Sequence, residues 1–170
     1  NLKIILTMAF KYLYLSYFLD KNTPLYGNGK GIDIVEDKSI EKGDSANTKN
    51  LIFPNHAGTH IDFPNHFFSD GKKLEDYPAS FWMFENPFVL EIKPQENELI
   101  VLTKKQLDAI PVNTDFLILN TGFFKYRYQT KYWNNNPGIS PEVAKQIKER
   151  CSNIRVLGMD FISLTSYQHR

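Results

Sequence analysis

One stretch of eleven residues limits the conformations open to this chain more than any other: His56-Ala57-Gly58-Thr59-His60-Ile61-Asp62-Phe63-Pro64-Asn65-His66. Pro54 and Pro64 bracket its first histidine pair, and Gly58 interrupts it. Proline removes a helix donor and glycine weakens a helix interior, so the spacing of His56 and His60 does not read as a helical metal pair. No glutamate follows the first histidine, as it would in an H-E-x-x-H helix. The stretch instead predicts an extended segment kinked at Gly58. Side chains alternate along an extended chain, and His56, His60, Asp62 and His66 all occupy even positions. The sequence therefore aims three imidazoles and one carboxylate at one region of space.

Neutral imidazole nitrogens and carboxylate oxygens suit zinc, manganese or iron. His56, His60 and Asp62 would leave coordination positions open, which a catalytic site keeps for water. Water on such an ion reaches a pKa of about 7 and becomes a usable nucleophile. His66, close by, is the candidate for moving protons. The plainer alternative is a set of ordinary polar surface histidines, or for His66 alone a packing role.

The stretch resembles the signature His-x-Gly-Thr-His-x-Asp-x-Pro-x-His of the metal-dependent cyclase-like hydrolases, which include bacterial-type kynurenine formamidase and isatin hydrolase. Other words resemble the family in the right order: Leu15-Ser16-Tyr17, Thr23-Pro24-Leu25-Tyr26-Gly27, Asn120-Thr121-Gly122, and Gly158-Met159-Asp160-Phe161-Ile162-Ser163. The resemblance implies a layered β/β/α swivelling fold of the cyclase-like type, assembled as a homodimer or homotetramer. It implies His56, His60 and Asp62 as ligands of a divalent metal, zinc ahead of manganese, with Asp62 also bridging to a second ion. It puts Tyr26 on the wall of the substrate pocket, against the alternative of a loop tyrosine packing locally. The family's proline after that aromatic is Gly27 here.

The activity implied is hydrolysis of an amide bond. The arylformamidase type takes N-formyl-L-kynurenine and water to L-kynurenine and formate, in tryptophan catabolism. Hydrolysis of another cyclic amide or ester, as by isatin hydrolase, is the alternative within the enzyme class. Members of the family continue into a helix with one more metal-binding histidine and a strand with a metal-bridging glutamate. The resemblance thus implies that the C-terminal end of the domain lies outside these 170 residues. It leaves open a catalytically impaired relative that only binds. His169 falls too early after the G-x-D-x-x-S word to be that histidine.

The length fits a single domain over residues 1–170, with residues 1–10 as extra residues or a flexible start. Twenty basic and 19 acidic side chains leave a net charge of +1, which gives no electrostatic case for nucleic acid or an anionic membrane. The expected partner is a small-molecule substrate. The single Cys151 excludes an internal disulfide framework and a multi-cysteine zinc site, and it suits a reducing cytoplasm. It falls on an apolar helical repeat and reads as a small buried hydrophobe. Lys3 and Lys11 break the apolar N-terminal run well short of a membrane span, and no small-residue cleavage site follows. Met8 is a candidate original start.

Taken in order, Lys11–Tyr17 reads as a first core strand, residues 20–31 as a loop, and Gly31–Glu36 and Asn50–Phe53 as strands. Phe67 and Phe68 are expected to pack in the core, with the wall of an apolar pocket as the alternative, and Phe81-Trp82-Met83-Phe84 in the core or at a subunit contact. Phe88–Ile92 reads as a strand. Thr103 and Gln106 form a capping box for a short helix that Pro111 ends. Asp115–Asn120 is a continuous apolar strand, expected to be buried on both faces. Residues 123–137 read as a long loop. Ser140-Pro141-Glu142 opens a helix with a Val143, Ile147, Cys151 stripe, and Arg155–Asp160 is a last strand whose Asp160 either orients a ligand or caps a turn.

Overall fold

The computed structural model describes residues 16–169. The strand expected over Lys11–Tyr17 lies almost wholly outside the described residues, as do the readings of residues 1–10. Within the described range the chain forms two units, one of residues up to Thr23 and Gly31–Ile61, the other of Pro24–Lys30 and Asp62 onward.

The first unit is a hairpin. Strand β1 (Asp33–Lys38) pairs antiparallel with β2 (Thr48–Ile52), with Ile34 opposite Leu51 and Val35 opposite Asn50. The charged run between the strands closes on itself. Ser39 N–H donates to Asp44 Oδ2 at 2.8 Å and Ile40 N–H to Asn47 Oδ1 at 2.8 Å. These side chains satisfy backbone groups that the ladder leaves over.

The second unit contains, in chain order, β3 (Pro87–Glu91), β4 (Leu99–Ile100), α1 (Lys104–Ala109), β5 (Phe116–Asn120), α2 (Lys131–Asn134), β6 (Gly138–Ile139), α3 (Pro141–Arg150) and β7 (Val156–Met159). Strands β3, β5 and β7 form a parallel sheet with β5 in the middle, and β4 and β6 form a separate parallel pair. Parallel neighbours require crossovers, and α1 and α3 lie in the two that join β3, β5 and β7. Both helices start as the sequence predicts. Thr103 Oγ1 accepts from Gln106 N–H at 3.3 Å while Gln106 Oε1 accepts from Thr103 N–H at 2.9 Å. Ser140 Oγ accepts from Glu142 N–H at 3.3 Å, ahead of Pro141 in the first turn.

The core lies on one face of β5. Leu117 and Leu119 are fully buried, and the α3 stripe of Val143, Ile147 and Cys151 joins Leu90, Ile100, Ile110 and Phe161 in the same cluster. Burial pushes the Cys151 thiol up from its ordinary pKa, as expected for an inert buried cysteine. The other face of β5 corrects the expectation of two-sided burial: Phe116 and Ile118 are only half-buried. On that side Gly158 of β7 leaves room for the Phe116 ring, since a Cβ there would stand 3.1 Å from it.

Two further differences stand out. The expected loop over 123–137 contains α2, and β4 and β6 escaped the sequence reading because each is only two residues long. Phe67 and Phe68 are 60% and 64% exposed and do not pack in the core.

An ionic staple holds the entry to the sheet. Asp115, just before β5, accepts from the N–H groups of Glu85 and Asn86 at 2.8 and 3.0 Å. Arg155, just before β7, donates to the carbonyls of Phe81 and Met83 at 2.6 and 2.7 Å and reaches Asp115 at 3.4 Å. Its guanidinium also lies over the Phe84 ring at 4.9 Å. The architecture is mixed α/β, with an antiparallel pair in the first unit and parallel sheets in the second.

Candidate metal centre

The histidine segment enters from β2 through a turn. Ala57 N–H donates to Pro54 C=O at 3.2 Å, and Gly58 takes φ +65°, the left-handed region that favours glycine. The kink predicted at Gly58 is therefore present. It also brings the Gly58 carbonyl to the His60 ring, 2.9 Å from Nδ1. A carbonyl only accepts, so His60 Nδ1 carries the hydrogen and Nε2 is the lone-pair nitrogen of the neutral ring. Nε2 lies 3.1 Å from Nδ1 of His56, with the rings edge to face at 87°. Two nitrogens bound to one tetrahedral zinc, each at about 2.0–2.1 Å, stand about 3.4 Å apart. The spacing of this pair is therefore close to that of two ligands sharing an ion. A metal-bound histidine usually gives its other ring N–H to a carbonyl, a carboxylate or water.

Beyond Ile61 the path departs from the extended reading. Pro64–His66 is a 3-10 turn with proline at its first position and His66 N–H donating to Phe63 C=O at 2.8 Å. Asp62 and His66, at the two ends of this turn, offer ligand atoms within 4.8 Å of each other. The donor chemistry, nitrogen and carboxylate oxygen, fits a divalent ion such as zinc or manganese. His56 is half-buried, and His60, Asp62 and His66 are exposed.

Tyr26 lies on a 3-10 turn, Tyr26–Asn28, that packs against α2, and its side chain is 43% exposed. Gly27 takes φ +63°, which proline cannot adopt, so the turn has a shape of its own. At the ends of β5 and β7, Thr121 donates to Asp160 Oδ1 from its N–H at 2.9 Å and its hydroxyl at 2.5 Å. Of the two readings of Asp160, these bonds support the turn cap.

Two residues that the sequence reading passed over bear on the centre. Asn65 and Gly71 hold the His66 turn against the loop that follows it. The visible signal was Asp70-Gly71, a turn dipeptide whose partner on the other side was not legible.

The profile of the Cyclase family, described as "Putative cyclase", matches residues 13–165. The chain belongs to the Cyclase family. An uncharacterized protein of Haemophilus influenzae is 34% identical over 113 residues, covering 64% of this chain and 78% of that protein. A kynurenine formamidase of Geobacillus thermodenitrificans is 25% identical over 157 residues, covering 91% of this chain and 71% of that enzyme. Among solved structures, an isatin hydrolase bound to the product analogue thioisatinate superposes with a TM-score of 0.68 at 16% identity, covering 90% of this chain and 68% of that one. Isatin hydrolase A of Ralstonia solanacearum gives 0.65 at 16% identity, covering 89% and 66%. This Cyclase-family chain thus has the fold of the isatin hydrolases. Among the described residues no helix is long and apolar enough to cross a membrane.

Proposed function

We propose that the chain is a metal-dependent hydrolase of an amide bond, of the arylformamidase type. The observation that carries this reading is the histidine pair: the Gly58 carbonyl turns His60 toward His56, with Nε2 3.1 Å from His56 Nδ1, and Asp62 follows two residues on. The kinship with kynurenine formamidases supports it. His56, His60 and Asp62 would hold the ion, zinc or manganese by donor type. A bound divalent ion would supply Lewis acidity and an acidified water at the scissile carbonyl.

His66 is the general acid and base in this reading. Its imidazole takes a proton from the attacking water and returns one to the leaving nitrogen as the C–N bond breaks. With N-formyl-L-kynurenine the products are formate and the free aryl amine, L-kynurenine. Tyr26 would contact the substrate. Residues 1–170 act in this reading as one domain, assembled as a homodimer or homotetramer in the cytoplasm, a reducing compartment suited to the lone buried Cys151.

The test is formate and L-kynurenine release from N-formyl-L-kynurenine by the purified chain with added zinc or manganese. Isatin is the parallel substrate, because the fold is shared with isatin hydrolases. Turnover that a chelator abolishes and that His60→Ala lacks supports the proposal. Stoichiometric metal without turnover of either substrate reassigns the chain to binding without catalysis.

A further inference from the structure

Asp62 and His66 stand at the two ends of Phe63-Pro64-Asn65, and both side chains are exposed. The His66 ring stands edge to face against Phe67 at 4.4 Å, on the same backbone turn, so the course of that backbone sets where His66 points. That backbone is gripped at every residue. The Phe63 ring packs against Tyr77 and Trp82 at 5.7 and 5.9 Å. Pro64 C=O accepts from the N–H groups of Phe67 and Phe68 at 3.1 and 2.9 Å. Asn65 N–H donates to Lys72 C=O at 3.1 Å, and its Nδ2 donates to the carbonyls of Phe68 and Ser69 at 3.3 and 3.2 Å. Residues 67–72 thus fold back over Pro64 and Asn65. A Cβ at Gly71 would lie 2.4 Å from the Pro64 carbonyl carbon and 2.6 Å from the Asn65 nitrogen. Those are backbone atoms and cannot swing aside, so only glycine fits.

We propose that Asn65 and Gly71 are positioning residues for this centre, locking the turn that fixes where His66 points relative to Asp62. The inference rests on reading Asp62 and His66 as part of the metal and proton-transfer site. Gly71 acts by allowing the close approach. Asn65 acts through its amide, which ties the turn to two carbonyls of the loop and leaves His66 one residue further on.

The experiment compares wild type, Asn65→Ala and Gly71→Ala by zinc titration against a chromophoric chelator, with thermal unfolding of the metal-free proteins alongside. The same turn also sets the direction of the ligand Asp62, and loss of a contact that orients a ligand weakens metal binding by about 10–100-fold. That loss is expected in Asn65→Ala with the metal-free melt nearly unchanged. The second readout needs no metal. The His66 ring resonances, assigned by their loss in His66→Gln, are expected to shift and broaden in metal-free Asn65→Ala. Unchanged ring resonances overturn the inference whether or not the wild type binds zinc. Unchanged zinc affinity in Asn65→Ala overturns it as well. A wild type that binds no zinc instead defeats the metal reading itself, and the ring resonances still decide the positioning role. Should Gly71→Ala fail to fold, Asn65→Ala carries the test alone.

Discussion

Truncating Leu117 to alanine probes the sheet that carries the second unit. Leu117 is 0% exposed in β5, the strand flanked on both sides by parallel neighbours. The substitution removes three buried carbon groups, and at about 0.8 kcal/mol each the transfer loss is about 2.4 kcal/mol. The surrounding side chains cannot close the gap fully. A residual cavity of roughly 50 Å³, at about 24 cal/mol per Å³, adds about 1.2 kcal/mol. The expected cost is therefore about 3.5 kcal/mol, equivalent to a fall in Tm of about 7–14 °C for a chain of this size. Urea unfolding at 25 °C reads the loss as a lower midpoint at an unchanged m value. Val101→Ala, at a position 61% exposed, is the control and is expected to stay within about 0.5 kcal/mol of wild type. A cost below about 1 kcal/mol for Leu117→Ala would refute the assignment of β5 as the buried centre.

Three other outcomes follow from the same contacts. His66→Ala is expected to lower turnover while zinc content, read by elemental mass spectrometry, stays at the wild-type level; loss of the zinc would make His66 a ligand instead. Burial raises the Asp115 pKa, but the N–H groups of Glu85 and Asn86 and the Arg155 guanidinium outweigh it and hold the carboxyl below the usual carboxylate range. The folded chain then binds fewer protons than the unfolded one, so stability is present above the unfolded value of about 3.9 and is lost as pH falls through the lower folded value. Urea midpoints from pH 7 to 2.5 should show that loss, and Asp115→Asn should flatten it; equal slopes would sink the assignment. Thr103→Ala removes the α1 cap and is expected to cost about 1 kcal/mol in the same assay.

The parts of the fold that were legible in the sequence are those set by neighbours along the chain. Thr103 and Gln106 cap each other across one turn, and Ser140-Pro141 fixes the start of α3, so both helices could be read directly. The Val143, Ile147, Cys151 stripe needed only the helical period. Residue types and the Gly58 kink gave the candidate donors. The turn at Pro64–His66 could not be read, because its shape depends on Gly71 folding back from beyond it. Likewise β4 and β6 exist only through each other, with Leu99 opposite Gly138, and neither carries a pattern of its own. The exposure of Phe67 and Phe68 contradicts composition alone, since hydrophobicity indicates what burial would gain and not whether the fold provides it.

The two sheets also differ in when they can form. A hairpin such as β1–β2 joins residues close along the chain and closes in about 1–10 µs. The β3–β5–β7 sheet has no such short route, because β5 must find one neighbour from each side across a helical crossover. Long-range parallel pairing of this kind is slow. On a ribosome it stays incomplete until Met159 has emerged, long after the hairpin is free to close. His56 and His60 belong to the unit with the hairpin, and Asp62 and His66 to the unit with the parallel sheet. A nascent chain therefore presents its first two imidazoles well before the unit that carries the carboxylate has a finished core.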